Sequence, residues 1–516
     1  MRSWITIVVC ALGLLLLHMC LISAFAGPRS NSSDLYRPAF HFSPEKNWIN
    51  DPNGLVFEAS EYHLFYQYNP FGDLWGHMSW GHAVSRDLVT WQQLPVALPE
   101  ENGIMIFSGS AVVDSDNTGG FGQNRGAPLV AIYTGNSPGR QTQNIAYSTD
   151  HGRTWTKYAG NPVIDIHSAE FRDPMVFWHS PSHHWVMVVS LAKEHKVRFY
   201  SSPDLKTWRQ LSDFGPVGAV EIPNWECPSI FSLPVANASG RQKWVLEVGV
   251  GGGGPSGGSA TQYFVGEFDG TKFVNDNPPE KTLWIDYGAD FYAAQTWSNV
   301  PPSDGRRIMV AWMNDWRYAD KLPTRPWRGQ MTFPRTLGLL QTKDGFRLTQ
   351  VPVQAIESIR DEHIQLRNTR WAEAEALLAR RAWPDTLEIV AELKLQGTQD
   401  VGFELRKGPS HETRVGYNAK RSAMYIDRTR SGDSVVSSEF PAKHEGPVEI
   451  ADGIVKLHIL VDRCSVELFG NDGQVAITDL IFPGQSDKGI GIYTDGTPPL
   501  VISLDIWSLK AHAEQR

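Results

Sequence analysis

Three acids, Asp51, Asp173 and Glu226, each stand in a short segment suited to holding a side chain still. Asp51 lies in Asn47-Trp48-Ile49-Asn50-Asp51-Pro52-Asn53-Gly54, Asp173 in Phe171-Arg172-Asp173-Pro174, and Glu226 in Trp225-Glu226-Cys227-Pro228. A Pro follows each acid within two residues and an aromatic precedes it, company that fits a rigid strand end. Rigid acids meeting in one pocket are what glycosidic bond cleavage requires: one carboxylate attacks or stabilises the anomeric carbon while a second, protonated, gives its proton to the leaving oxygen. Like charges held close together do not all ionise near neutral pH, so the most shielded carboxyl keeps its proton. That role is expected of Glu226, whose longer stem reaches a leaving group and whose neighbours Trp225, Cys227 and Pro228 imply poor hydration. Asp51 is then the nucleophile, and Asp173, oriented by Arg172, binds sugar hydroxyls beside the reacting carbon. Taken singly, each segment also reads as an ordinary turn. Only the combination carries the chemistry.

The three segments resemble the signature motifs of glycoside hydrolase family 32, the invertases, exo-inulinases and levanases. Further likeness lies in Tyr66-Gln67-Tyr68-Asn69-Pro70, Trp75-Gly76, Trp80-Gly81-His82-Ala83, Phe107-Ser108-Gly109-Ser110, Thr261-Gln262-Tyr263-Phe264-Val265-Gly266, Asp290-Phe291-Tyr292-Ala293 and Pro326-Trp327-Arg328-Gly329. The resemblance implies Asp51 as nucleophile, Asp173 as transition-state stabiliser and Glu226 as acid/base. It further implies substrate contacts at Trp48, Asn50, Gln67, Trp75, Phe107, Ser108, Arg172 and Trp312. Three positions depart from the family pattern. Ile49 replaces a frequent Met at similar bulk, Ser229 stands where bacterial relatives often carry a carboxylate, and Met175 stands where Lys is frequent. The last two are expected to bear on leaving-group preference.

Acids so far apart in sequence need a scaffold that returns to one axis. Ser85 to Trp91, Ser148 to Trp155 and Ser201 to Trp208 are versions of one pattern, an Asp-containing turn followed by a Trp. They recur at roughly 50 to 65 residues, the length of a four-stranded propeller blade. Apolar runs such as 129–133, 185–190 and 244–250 are short, β-branched or aromatic, and bounded by turn residues. The expected fold is therefore all-β: a five-bladed β-propeller over residues 27–350, a linker over 351–370 and a C-terminal β-sandwich over 371–516, with a short helix near Arg370 to Ala382. In the last domain Val455, Leu457, Ile459 and Val461 alternate with Lys456, His458, Leu460 and Asp462, which predicts one buried and one mostly wet face. The sandwich either binds carbohydrate or covers an apolar flank of the propeller.

Composition fits a large folded enzyme. The chain has 516 residues, 20% charged and 41% hydrophobic, with a net charge of −9 that speaks against a nucleic-acid partner. The 19 Trp and 15 Tyr supply surfaces for sugar rings, though most are expected in the core. Residues 1–26 read as a signal peptide cleaved near Ala26, with an uncleaved anchor as the alternative, so a secreted protein without stable membrane association is expected. Asn31 and Asn237 open glycosylation sequons. Cys10 and Cys20 leave with the signal; Cys227 and Cys464 are too few for a disulfide framework, and Cys227 lacks a His partner for thiol catalysis. No metal site or cofactor is expected. The histidines 179, 183 and 184 read as a hairpin tip, and the glycines from 251 to 258 as a flexible surface loop rather than a phosphate loop.

These observations together predict a retaining hydrolase that removes terminal β-fructofuranosyl units from sucrose or from fructans such as inulin and levan. Two alternatives are an inverting arabinan- or xylan-cleaving hydrolase on a similar propeller, and a catalytically silent sugar-binding protein.

Overall fold

The short β-branched and aromatic runs become strands, and the Ser-Asp-Trp segments between them become the tips that repeat from blade to blade. In the first, Ser85 Oγ accepts the Leu88 amide at 2.8 Å and Asp87 accepts the Val89 and Thr90 amides at 2.9 and 2.6 Å. Ser148 with Asp150 and Ser202 with Asp204 repeat the arrangement. The computed structural model describes residues 35–122, 126–433 and 436–511. The expected signal peptide and the sequon at Asn31 lie outside the described residues.

Five sheets form the propeller. Their innermost strands are Asn47–Glu58 (blade I), Met105–Val113 (blade II), Phe171–His179 (blade III), Trp225–Pro234 (blade IV) and Tyr292–Thr296 (blade V). Each packs beside the innermost strand of the next blade around the ring. The ring closes where Ser298, at the end of blade V, donates to Leu55 O and accepts from Phe57 N, both at 3.0 Å. Separate apolar clusters fill the spaces between blades, such as Val56, Phe65, Trp80, Ala131 and Tyr133 between blades I and II. Burial of this kind, not hydrogen bonding, supplies most of the drive to stack the sheets.

The second domain is an antiparallel sandwich of a six-stranded and a five-stranded sheet over one core, which includes Leu387, Phe403, Val415, Ile459 and Ile506. The helix Trp371–Ala379 caps that core with Trp371, Ala374 and Leu378, one stripe at helical spacing. Two features differ from expectation. Residues 360–370, taken as linker, form the strand Arg360–Arg370 and pair with Leu500–Leu509. As an edge strand it part-buries little beyond Ile364 and Leu366, so its alternation is too weak to read. The face opposite Val455, Leu457, Ile459 and Val461 is also drier than predicted. Leu460, Phe469 and Ala476 from the same sheet join a propeller cluster containing Phe40, Tyr66 and Phe333.

Two buried ionic networks cross this interface. In one, Arg335 of blade V donates to Asp286 (2.9 Å), Glu467 (2.6 Å), Gln350 (2.8 Å) and Thr478 (2.5 Å). Glu467 also meets His41 Nε2 at 2.7 Å, and His41 Nδ1 meets Asp462 at 2.8 Å. Burial alone favours neutral His41, but the two carboxylates outweigh it and push the imidazole up to about 9. In the other, Arg428 of the sandwich donates to Asp290 at 2.6 Å and to Tyr318 Oη at 2.9 Å. A charged group removed from water is tolerated only with such partners.

Candidate active site

All five innermost strands break register at the same height. The irregularities fall between Ile49 and Pro52, Ile106 and Gly109, Arg172 and Met175, Glu226 and Ser229, and Tyr292 and Gln295. A bulge adds residues to one strand and re-aims its side chains. Here it turns Asn50 and Asp51, Phe107 and Ser108, Arg172 and Asp173, Glu226, and Tyr292 into one cavity of about 170 Å³, completed by Gln67, Trp75 and Trp316. The sharpness of the turn shows in the backbone: Asp173, Cys227 and Ala293 occupy the equivalent place in blades III, IV and V with φ of 67°, 47° and 52°. Left-handed geometry at non-glycine residues is costly and is held here by the surrounding sheets. Pro174 and Pro228 fall inside the interruptions, where no amide donor is needed, and Pro52 stands at the edge of one, opposite Tyr66.

Asp51 and Asp173 share one hydrogen-bond system, and Glu226 has its own beside it. Asp51 accepts from Ser108 Oγ at 2.6 Å, Asn50 Nδ2 at 3.0 Å and Cys227 Sγ at 3.3 Å. Asn50 is itself fixed by Trp48 Nε1 at 2.8 Å. Asp173 accepts the Cys227 amide at 3.0 Å, and the Cys227 thiol lies 3.7 Å from the same oxygen. Cys227 therefore bridges Asp51 and Asp173. Glu226 has one oxygen on Arg172, at 3.1 Å from Nε and 2.9 Å from Nη2, and the other on the Tyr292 hydroxyl. Arg172 is steadied from behind by Glu170 at 2.7 Å and Gln141 at 3.2 Å.

Electrostatics follow from burial. Asp51 is pushed above the ordinary carboxylate range by desolvation, against the ion-favouring bonds from Ser108 and Asn50. Asp173 is pushed up by desolvation too, with Arg172 opposing and the neighbouring Glu226 and Asp51 reinforcing. Burial also works against the Arg172 cation, but Glu226 and Asp173 hold it charged. Desolvation and the three acids drive the Cys227 thiol well up, so it serves as a neutral donor and not as a thiolate. Glu226, expected to be the most shielded of the three acids, is the least shielded. Its side chain is 21% exposed, whereas Asp51 and Asp173 are 8% and 5% exposed as residues. Glu226 is the last paired residue before its bulge, the place Arg172 takes in blade III, whereas Asp173 is the first residue inside its own.

Of the expected contacts, Asn50, Gln67, Trp75, Phe107, Ser108 and Arg172 line the cavity. Trp48 and Trp312 do not; both are fully buried and pack behind Trp316, with ring centroids at 5.9 and 4.7 Å from it. Trp316 is the ring that faces the mouth, and Tyr292 the hydroxyl on Glu226; neither was singled out from the sequence. Tyr292 had a signal in the Asp290-Phe291-Tyr292-Ala293 segment, while Trp316, four residues past Trp312, had none beyond its neighbourhood. Met175 and Ser229, expected to influence the leaving group, occupy the residue that leaves the bulge in blades III and IV and point away. Met175 lines a separate cavity of about 390 Å³ with Trp178, Trp244 and Arg307, and Ser229 is buried opposite Glu247.

The chain matches the profile of the Glycosyl hydrolases family 32 N-terminal domain over residues 41–352 and that of the family 32 C-terminal domain over residues 355–508. It is 48% identical over 505 residues to a levanase of Bacillus subtilis strain 168, covering 96% of this chain and 74% of that protein. It is 40% identical to an extracellular exo-inulinase of Aspergillus niger, covering 93% and 96% of the two chains. Among solved structures, exo-inulinase from Aspergillus awamori superposes with a TM-score of 0.86 at 37% identity, over 92% of this chain and 98% of that one. A β-fructofuranosidase from Schwanniomyces occidentalis complexed with fructosyl-erythritol gives 0.84 at 35% identity, over 93% and 99%.

Proposed function

The chain belongs to glycoside hydrolase family 32, and on that premise we propose how its site performs the reaction. The enzyme is a β-fructofuranosidase that hydrolyses terminal fructosyl units of sucrose or fructans. The observation that carries the assignment of roles is the convergence of Asp51, Asp173 and Glu226 on a cavity of about 170 Å³, below the size range of drug-sized ligand pockets and suited to one sugar ring. Asp51, on the floor and gripped by Ser108 and Asn50, attacks the anomeric carbon of the fructosyl unit. Glu226, at the mouth where the leaving group must emerge, gives its proton to the departing oxygen. The same carboxylate then takes a proton from water as that water displaces Asp51, releasing fructose with retained configuration. Asp173 holds sugar hydroxyls, and Arg172 ties Glu226 beside it. A closed floor favours removal of one terminal unit at a time.

The rival readings are not favoured. Relatives include a levanase, an exo-inulinase and an invertase, and all three acids that the hydrolysis needs line one cavity. Export fits a relative described as extracellular, and no helix among the described residues is long and apolar enough to cross a membrane. Sequencing the N-terminus of the mature protein checks cleavage near Ala26. For the chemistry, Glu226→Gln should lower kcat/KM far more on sucrose and levan than on fructosides with very good leaving groups, whose first step needs no acid. Equal loss on both kinds of substrate would remove Glu226 from the acid role.

A further inference from the structure

Blade V supplies two residues to the cavity, Tyr292 and Trp316, and both are anchored outside the propeller. Asp290, two residues before Tyr292, accepts from Arg428 Nη1 at 2.6 Å, from the Leu480 amide at 2.8 Å and from Tyr318 Oη at 2.8 Å. Tyr318, two residues after Trp316, takes a second bond from Arg428 Nη2 at 2.9 Å, and its own amide closes the turn on Asp315 O at 3.1 Å. Arg428 and Leu480 belong to the sandwich. The approach to Tyr292 is docked along the same domain: Tyr287 N donates to Ala476 O at 2.9 Å, Ala289 N to Asp479 Oδ1 at 3.1 Å and Asp290 N to Thr478 O at 3.1 Å. The fit is backbone to backbone, since a β-carbon on Gly288 would lie 2.1 Å from Thr478 O.

We propose that Arg428 is a positioning residue for the reaction: through Asp290 it fixes the segment that sets Tyr292 against Glu226, and through Tyr318 it fixes the turn that sets Trp316 over the cavity. The sandwich is thus a working part of the active site, beyond covering the propeller flank. Arg428 is fully buried, and its remaining donors are committed to Phe440 O at 2.8 Å and Leu480 O at 3.0 Å, so the guanidinium has one geometry. Without it Asp290 becomes a buried carboxylate short of its cation, and the segment must shift or admit water to relieve it. Displacements of about 1 Å are enough to cost about a hundredfold in rate when they move a catalytic group. This inference rests on the acid role proposed for Glu226.

The test separates positioning from loss of fold by leaving-group dependence. Arg428→Met, the milder Tyr318→Phe, Tyr292→Phe and the double variant Arg428→Met/Tyr292→Phe are assayed on sucrose and on p-nitrophenyl β-fructofuranoside, whose leaving group needs little help from an acid. His41→Ala is the control, because it weakens the same domain interface through Asp462 and Glu467 and bonds to none of Arg428, Asp290 and Tyr318. The parent is measured first: failure to hydrolyse both substrates counts against the proposed reaction itself. The expected result is a loss in kcat/KM of about 10- to 100-fold on sucrose for Arg428→Met, against about threefold or less on the activated substrate. Tyr292→Phe should show the same skew, the double variant no further loss, and His41→Ala equal losses on both. Equal losses for Arg428→Met, independent effects multiplying in the double variant, or an equal skew in His41→Ala overturns the inference. If Arg428→Met does not fold, Tyr318→Phe decides, with a skew of at least about threefold expected and none overturning it.

Discussion

Replacing Arg335 by Met is the sharpest perturbation of the propeller–sandwich junction. The guanidinium is fully buried and answers two carboxylates that are themselves 1% or less exposed, Asp286 and Glu467. It also lies 4.7 Å from the Phe291 ring centroid and 4.9 Å from that of Phe469. After the substitution Glu467 keeps His41 and the Phe333 amide, and Asp286 keeps donors from Gly288 and Thr478, but Asp286 loses the Arg335 cation. Breaking a buried pair from one side costs about 3–5 kcal/mol, which corresponds to a fall in Tm on the order of 5–10 °C. Thermal unfolding followed by tryptophan fluorescence at a fixed scan rate measures it. The companion variant Arg335→Met/Asp286→Asn/Glu467→Gln removes the charges together and should recover most of the loss, because the penalty lies in the uncompensated carboxylates. A loss below about 1 kcal/mol, or a triple variant no better than the single one, would refute the reasoning.

Other outcomes follow from the same geometry. The folded-state pKa of His41 is raised, so its stabilisation is full below the ordinary histidine value near 6.5 and is lost as pH climbs through about 9; Tm should fall across that window, and His41→Gln should flatten the fall. Asp51 and Asp173 have raised folded-state values, so at neutral pH each ionised carboxylate costs stability. Asp51→Asn and Asp173→Asn should therefore abolish activity yet raise Tm at pH 7, with the gain fading as pH falls toward 4. Trp316→Ala should raise KM with little change in Tm, whereas Trp48→Ala, in the packed layer behind it, should cost about 3–5 kcal/mol by denaturation.

Much of the fold was legible because its repeats are local. The Ser-Asp-Trp tips announce themselves in sequence through side chains bonding to their own backbone, and alternation marks strands with one wet face. Arg360–Arg370 was missed since an edge strand with two part-buried apolar residues leaves no period to read. The acids were legible through their turn chemistry, but the order of their burial was not: the degree of shielding depends on where each strand begins its bulge, a property of pairing register with no local signature. Trp312 and Trp316 show the same limit. Two tryptophans four residues apart are equivalent in a linear reading, and only the turn at Asp315 to Tyr318 decides which one meets solvent.

The matched irregularities of the inner strands carry a consequence for how this scaffold can change. They present the axis with five bent strands at one level, whose aim comes from the backbone and, in blade V, also from the sandwich that holds Asp290. Three carry acids, blade II carries a hydroxyl on Ser108, and blade V carries a phenol on Tyr292 followed by two methyl groups at Ala293 and Ala294. Altering the chemistry is then a matter of exchanging side chains on ready-made pedestals, with the ring left untouched.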